Sequence, residues 1–345
     1  MNTAAQPLPL QQTAGSVVCV TVTYGDRKKL LCTVIDALPA QGVRKVVVVD
    51  NGAAWPVRAQ LAEAYGDYVD VVEMGRNAGS APGYAAGLQR ALESGAEFLF
   101  LLDDDNIPAP RSLSTLLAAH ADALSTTPRD RLAVLGFRPT LQSDVHIHVP
   151  IKRINPRPSS FIGFHIFDIP YKIWRRTPWG RPRLQRGYPK RIDMSIGPYG
   201  GLLFHRDVIH ETGLPNTEFV LYGDDTEWTY RLHQRGGRLV LVTDALIDDL
   251  ESSWSLKQDF GSSFQAFLTG TGDFRAYYSV RNATYFFFHC HEHREAMLRV
   301  NFHVYVWVLR LLAIASGSMN RFRLLQRAMH EGRLGRLGMT EDFQL

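Results

Sequence analysis

Residues 98–106 read FLFLLDDDN: five apolar side chains running directly into Asp103, Asp104, Asp105 and an amide. An apolar run of this length, bounded by polar residues, reads as a buried strand. The acids then fall at its carboxyl end. Upstream, SVVCVTVTY, VRKVVVVDN and YVDVVEM have the same β-rich character, and the four valines of the second argue for a central, doubly covered position. Between them DRKKLLCTVIDAL, WPVRAQLAEAY and SAPGYAAGLQRALESG carry helical spacing, the last ending at Gly95 in a C-cap position. PRSLSTLLAAHADAL and RLAVLGF continue the alternation. Strand–helix alternation with short links predicts an α/β fold: an open, mostly parallel sheet flanked by helices. Ligands of such sheets sit beyond the carboxyl ends of the strands, and Tyr24, Asp50 and Asp103 end three strands there.

On an extended strand, alternation aims Asp103 and Asp105 one way and Asp104 the other, which assigns Asp104 to structure. Two carboxylates on one side suit a hard divalent cation, Mg²⁺ or Mn²⁺, whose shell is finished by substrate phosphates. A polar turn with helix-capping aspartates is the competing reading of the same residues. A second acidic cluster, YGDDTEW, puts Asp224, Asp225 and Glu227 at the head of a predicted helix, with Tyr222 and Trp228 beside them. A helix N-terminus favours carboxylates. Three acids exceed what a cap needs, and an apolar setting would leave one basic enough to accept a proton.

The chain has 345 residues, 45% hydrophobic and 21% charged, which excludes a disordered protein. Cys19, Cys32 and Cys290 are too scattered for a disulfide framework or a zinc site and suggest a reducing compartment. Residues 1–16 read as a disordered tail without signal-peptide character. Pattern is lost over 140–197, where residues 151–191 hold eleven Lys or Arg against one acid, Asp168. These basic residues are interleaved with Phe161, Phe164, Phe167, Tyr171, Trp174 and Trp179, which suits an anionic membrane surface. Nothing else in the chain points to nucleic acid. Residues 256–345 read as mostly helical. Their apolar stretch 302–315 is too short and too interrupted by His303 and Arg310 to span a bilayer, and is either interfacial or core. His289, Cys290, His291 and His293, like His146 and His148, have no standard ligand spacing and stay outside the site.

VTVTYGDRKKL, VVVVDNGA, RNAGSAPGYAAGL, LLDDDN, GGLLF, YGDDTEW and YYSVRN, in this order, resemble family 2 glycosyltransferases of the GT-A fold. The likeness runs from residue 17 to about 285 and is nearest to bacterial enzymes that build surface polysaccharides with rhamnose or galactofuranose. The resemblance implies a GT-A catalytic domain over 17–255, with 140–197 an insert and 256–345 a helical C-terminal region. It implies that Tyr24, Asp50, Asn77 and Gly79 meet the nucleotide of a dTDP- or UDP-linked donor. Asp103 and Asp104 would join the donor site, Asp103 and Asp105 would hold the metal, and Gly200 and Gly201 would line the sugar pocket. Asp225 would be the catalytic base with Asp224 as its acidic neighbour, and Arg281 would meet the anionic leaving group unless it merely packs a helix. Relatives often place a metal-binding His where this chain has LIDDLESSW, so Asp249 stands as the candidate third ligand among Asp248, Asp249 and Glu251.

The function so implied is inverting, metal-dependent sugar transfer to a lipid-linked saccharide, on the cytoplasmic face of the membrane. Two alternatives remain. One is a phosphotransferase or phosphatase, although the Asp-x-Asp of the haloacid dehalogenase type normally follows the first strand and here follows the fourth. The other is a non-catalytic sugar- or membrane-binding protein.

Overall fold

A computed structural model describes residues 17–146, 149–150, 153–180, 189–251, 263–270 and 272–345. The expected tail 1–16, His148 and residues 181–188 of the basic stretch lie outside these. Strands β1 (Val17–Gly25), β2 (Lys45–Ala53), β3 (Val69–Glu73) and β4 (Phe98–Leu101) alternate with helices α1 (Lys28–Ala37), α2 (Val57–Tyr65) and α3 (Ser80–Glu93). The four strands are all parallel, in the order β3-β2-β1-β4. The valines of β2 are fully buried because both faces of the sheet are covered, one by α1, α2 and their neighbours, the other by α3. Helix α3 lies close on the sheet at its glycines: a Cβ on Gly87 would come within 2.5 Å of Val20 and 2.9 Å of Val49.

Beyond β4 the sheet becomes mixed. A short β5 (Asn106–Pro108) precedes α4 (Ser112–Ala123) and β6 (Leu132–Phe137), and a short α5 (Ser143–His146) and α6 (Ile169–Trp174) follow. Next come β7 (Arg191–Met194), β8 (Leu202–His205), α7 (Asp207–Thr212), α8 (Asp224–Gln234) and β9 (Arg238–Asp249). Strand β8 inserts antiparallel between β4 and β6, and β9 runs parallel to β6. The far end of β9 bulges past β6 and pairs antiparallel with β5, setting Asp249 opposite Asn106. Neither β5 nor β7 is legible in the sequence, because strands of three and four residues carry too little periodicity.

Helices α9 (Ser263–Thr269), α10 (Asp273–Tyr285), α11 (Glu295–Ala315) and α12 (Met319–Arg333) close the chain. They share an aromatic cluster with Phe161, Phe164, Val220 and Tyr230. Phe161 and Phe164 are therefore core residues, not part of a lipid-facing belt, whereas Phe167, Ile173, Trp174 and Trp179 are exposed. The 302–315 stretch belongs to a helix of 21 residues, long and apolar enough to cross a membrane by length and composition alone, and longer than its apolar run suggests. One face packs inward through Leu298, Phe302, Tyr305, Leu309 and Ala313. The opposite stripe, Val300, Trp307, Leu311 and Ile314, is exposed. His289 and His293 bond backbone carbonyls and His291 packs among Tyr230, Phe286 and Phe287.

Candidate active site at the carboxyl edge of the sheet

Strand β4 ends at Leu101, so the three aspartates occupy a turn, not an extended strand. Asp103 and Asn106 close that turn reciprocally, each backbone N–H donating to the other residue's oxygen at 3.1 Å. Strand alternation therefore does not orient these side chains; the turn does. Asp104 points into the protein, accepting from Thr23 Oγ1 at 2.8 Å and Arg27 Nε at 2.8 Å. It is a buried brace between the turn and β1, out of direct reach of a ligand. Arg27 also reaches Asp105 at 3.2 Å and Glu251 at 2.6 Å, so one guanidinium gathers three acids.

Asp103 is clamped at both oxygens: Tyr84 O–H donates to Oδ1 at 2.9 Å and Arg138 Nη1 to Oδ2 at 3.0 Å. Its side chain still keeps 39% exposure, against 6% for Arg138. The other edge of that guanidinium grips Asp249 through Nε and Nη2 at 2.8 and 2.7 Å. Asp249 also accepts from Asn106 Nδ2 at 2.9 Å and Thr140 Oγ1 at 2.5 Å. With both oxygens so occupied and its side chain 3% exposed, Asp249 serves here as the anchor of an arginine. Gly200 lies against this pair; a Cβ there would sit 2.4 Å from Arg138 Nη1 and 2.7 Å from Asp103 Oδ2. Gly201 N–H donates to Leu101 O at 2.8 Å, tying the β8 entry to the end of β4.

Asp103 and Asp105 remain as accessible hard-oxygen donors. Among the described residues, no three His, Cys, Asp or Glu side chains converge as a cation cage. Burial, together with the charges of Asp103 and Asp249, holds the Asp105 carboxyl above the usual range, a crowding that a cation relieves. Two carboxylates with room for substrate oxygens fit a hard divalent ion that keeps open positions.

The loop 76–80 lies beside the end of β2. Asn51, buried, donates to Asn77 Oδ1 and Gly79 O at 3.1 Å each and accepts from Ala78 N–H at 2.9 Å. Gly79, at φ +96°, packs so tightly on Val220 that a Cβ would stand 2.1 Å from its carbonyl oxygen. Tyr24 is exposed, and Asp50 lines a cavity of about 380 Å³ with Gly52, Ala53, Glu73 and Gly75.

Helix α8 opens with Asp224 and Asp225. Asp224 is buried and accepts from Ser80 Oγ at 3.1 Å, which joins this helix to the 76–80 loop. Asp225 accepts from the backbone N–H of Thr226 at 2.6 Å. Burial pushes Asp224 up to about 8 and Asp225 up to about 6; the Asp225 charge adds to the first and the Asp103 charge to the second. Both carboxyls are thus held above the ordinary aspartate range, and the Asp103 charge contributes to both shifts.

Arg281 is not in the site. It is fully buried, with Nη1 on Gly338 O, Nε on Asn282 Oδ1 at 2.9 Å and its guanidinium 4.7 Å from the Tyr278 ring centre. The structure brings together Asp103, Asp105, Gly200, Gly201, Asn77, Gly79, Asp224 and Asp225 along one edge. It adds Arg27, Ser80, Tyr84, Asn106 and Arg138, none of which the sequence singles out. Lone arginines carry no periodic signal; their only trace is that Arg138 directly follows β6 and Arg27 lies two residues past β1.

Residues 18–126 match the family model Glycosyl transferase family 2. Galactofuranosyltransferase GlfT1 of Mycolicibacterium smegmatis is 30% identical over 227 residues, 64% of this chain and 66% of that protein. The chain thus spans just under two thirds of the length of the mycobacterial relatives it matches. The dTDP-rhamnosyl transferase RfbF of Shigella flexneri is 34% identical over 91 residues, 26% of this chain and 30% of that protein. Among solved structures, GalNAc-T7 with UDP, GalNAc and Mn²⁺ superposes with a TM-score of 0.50 at 16% identity, covering 78% of this chain and 47% of that one. A mostly parallel sheet ending in this acidic edge, the helical C-terminal part and the match over residues 18–126 agree: the chain has a GT-A-type fold and resembles the family 2 glycosyltransferases.

Proposed function

We propose that this protein is an inverting glycosyltransferase that moves rhamnose or galactofuranose from a dTDP- or UDP-linked donor to a lipid-linked saccharide in surface polysaccharide synthesis. The observation that carries the reading is the pair of carboxyls at the head of α8: Asp224, buried and bonded to Ser80 of the 76–80 loop, and the half-buried Asp225, both electrostatically in touch with Asp103. In this reading Tyr24, Asp50, Asn77 and Gly79 receive the nucleotide, and Gly200 and Gly201 leave room for the sugar. Asp225 takes the proton of an acceptor hydroxyl, and its raised pKa makes it a stronger base while it is still ionised near neutral pH. The hydroxyl attacks the anomeric carbon from the face opposite the diphosphate, which inverts configuration. Asp103, held in one orientation by Tyr84 and Arg138, and Asp105 would hold Mg²⁺ or Mn²⁺, which when bound neutralises charge on the departing diphosphate.

The acceptor's lipid suggests work at the cytoplasmic membrane surface. Support comes from the exposed stripe of α11 and the exposed Phe167, Ile173, Trp174 and Trp179 beside Lys172 and Arg176. Ile166 N–H donates to Asn301 Oδ1 at 2.9 Å, linking the two segments. The test is transfer from UDP-galactofuranose and dTDP-rhamnose to polyprenyl-diphosphate saccharides with Mg²⁺, with anomeric configuration read by NMR. Inverted product that vanishes in Asp225→Asn supports the reading; retained configuration, or normal turnover in that variant, overturns it.

A further inference from the structure

YYSVRN (277–282) has no role in the site as described, yet its last residue is among the most heavily engaged in the molecule. The segment leading into α8 is strained. Val220 has φ +64° and ψ −70°, and Leu221 N–H donates to Phe219 O at 2.7 Å. That is a γ-turn of the rare, strained hand, centred on a β-branched residue. Tyr222 at φ +66° and Gly223 at φ +80° follow directly. Such conformations persist only where the surroundings enforce them.

Asn282 supplies the enforcement. Fully buried on α10, it directs Nδ2 at the carbonyls of Phe219, Leu221 and Tyr222, each at 2.8 Å. Two amide hydrogens thus serve three acceptors in one loop. Arg281 Nε donates to Asn282 Oδ1 at 2.9 Å, which fixes which way the amide faces. On its other side the γ-turn meets the donor loop: Val220 O accepts from Ala81 N–H at 3.2 Å and abuts Gly79.

We propose that Asn282 is a positioning residue for the base: its amide holds the Val220 γ-turn in the strained form that leads into Asp224 and Asp225 at the head of α8, and Arg281 orients that amide. The inference rests on the reading of Asp225 as base. It is tested by a cycle of Asn282→Ala, Val220→Gly and the double variant, reading kcat, donor KM and hydrogen exchange over 217–226. Asn282→Ala should lower kcat at least about tenfold with donor KM within about threefold, since the misplaced group acts in the chemical step. Exchange should quicken over 217–226 and not in β1, β2 or β4. Glycine takes the turn without strain, so in the Val220→Gly background the same change should cost less than about threefold.

Unchanged kcat and exchange in Asn282→Ala, or an equal loss in both backgrounds, would overturn the proposal. If Asn282→Ala does not fold, Asn282→Ser, which retains one donor, takes its place in the cycle. If Asp225→Asn keeps turnover, the base assignment fails; the clasp is then decided by the exchange data, so the two failures are distinguishable.

Discussion

Replacing Asp249 with Ala removes the anchor of a buried ion pair. Arg138 Nε and Nη2, Asn106 Nδ2 and Thr140 Oγ1 would all lose their acceptor, in a place where the two charged side chains are 6% and 3% exposed. Removing one partner of such a pair costs about 3–5 kcal/mol, because Nε and Nη2 of the buried guanidinium lose their acceptor even though Nη1 keeps Asp103. Unfolding entropy of roughly 2.1 cal/mol/K per residue amounts to about 0.7 kcal/mol/K over 345 residues, so the thermal midpoint should fall by about 4–7 °C. Asp249→Asn keeps an acceptor oxygen without the charge and should cost less, about 1–3 kcal/mol. The assay is thermal unfolding by circular dichroism in EDTA and again in excess Mg²⁺. An anchoring role requires the full drop in EDTA. A midpoint in EDTA within about 1 °C of the parent, with the loss confined to Mg²⁺-dependent stabilisation, would refute it and return Asp249 to the cation.

Activity should fall as pH drops through about 6, not through the ordinary aspartate range near 4, because burial raises Asp225 and only its ionised form accepts a proton; a kcat/KM–pH profile reads this directly. The same raised values mean that the folded state holds more protons than the unfolded chain, so the contribution of Asp224 and Asp225 to stability is full below about pH 4 and is lost as pH rises towards 8; Asp224→Asn should flatten that decline in thermal midpoint. Gly79→Ala forces a Cβ to 2.1 Å from Val220 O at a φ of +96° and should destabilise by about 1–3 kcal/mol, measured by urea unfolding, with donor binding weakened. Trp307→Glu with Leu311→Glu should abolish sedimentation with anionic vesicles while leaving turnover on a soluble acceptor intact; unchanged sedimentation would remove α11 from the membrane reading.

Much of the edge that holds the site is legible without coordinates. The period of apolar residues is a local property, and it delivers β1 to β4, their helices and the placement of Asp103–Asp105 and Asp224–Asp225 at element ends. How closely α3 lies on the sheet is seen only in the fold, where the missing Cβ of Gly83 and Gly87 permits its approach to Val20, Val22 and Val49.

The partners of charged groups are another matter. Asp249 looks the same in sequence whether it holds a metal or an arginine. The choice is made by the bulge in β9 that shifts its register and brings residue 249 beside Asn106 and Arg138, more than a hundred residues away in the chain. Arg281 reads as an anion ligand until α10 folds against the γ-turn and buries it under Tyr278. The three aspartates read as a strand until the turn at 103–106 sends Asp104 onto Arg27. Local periodicity determined which of the longer elements form and where their acids lie. Register, burial and long-range pairing, which no window of sequence contains, decided which of those acids still face a ligand.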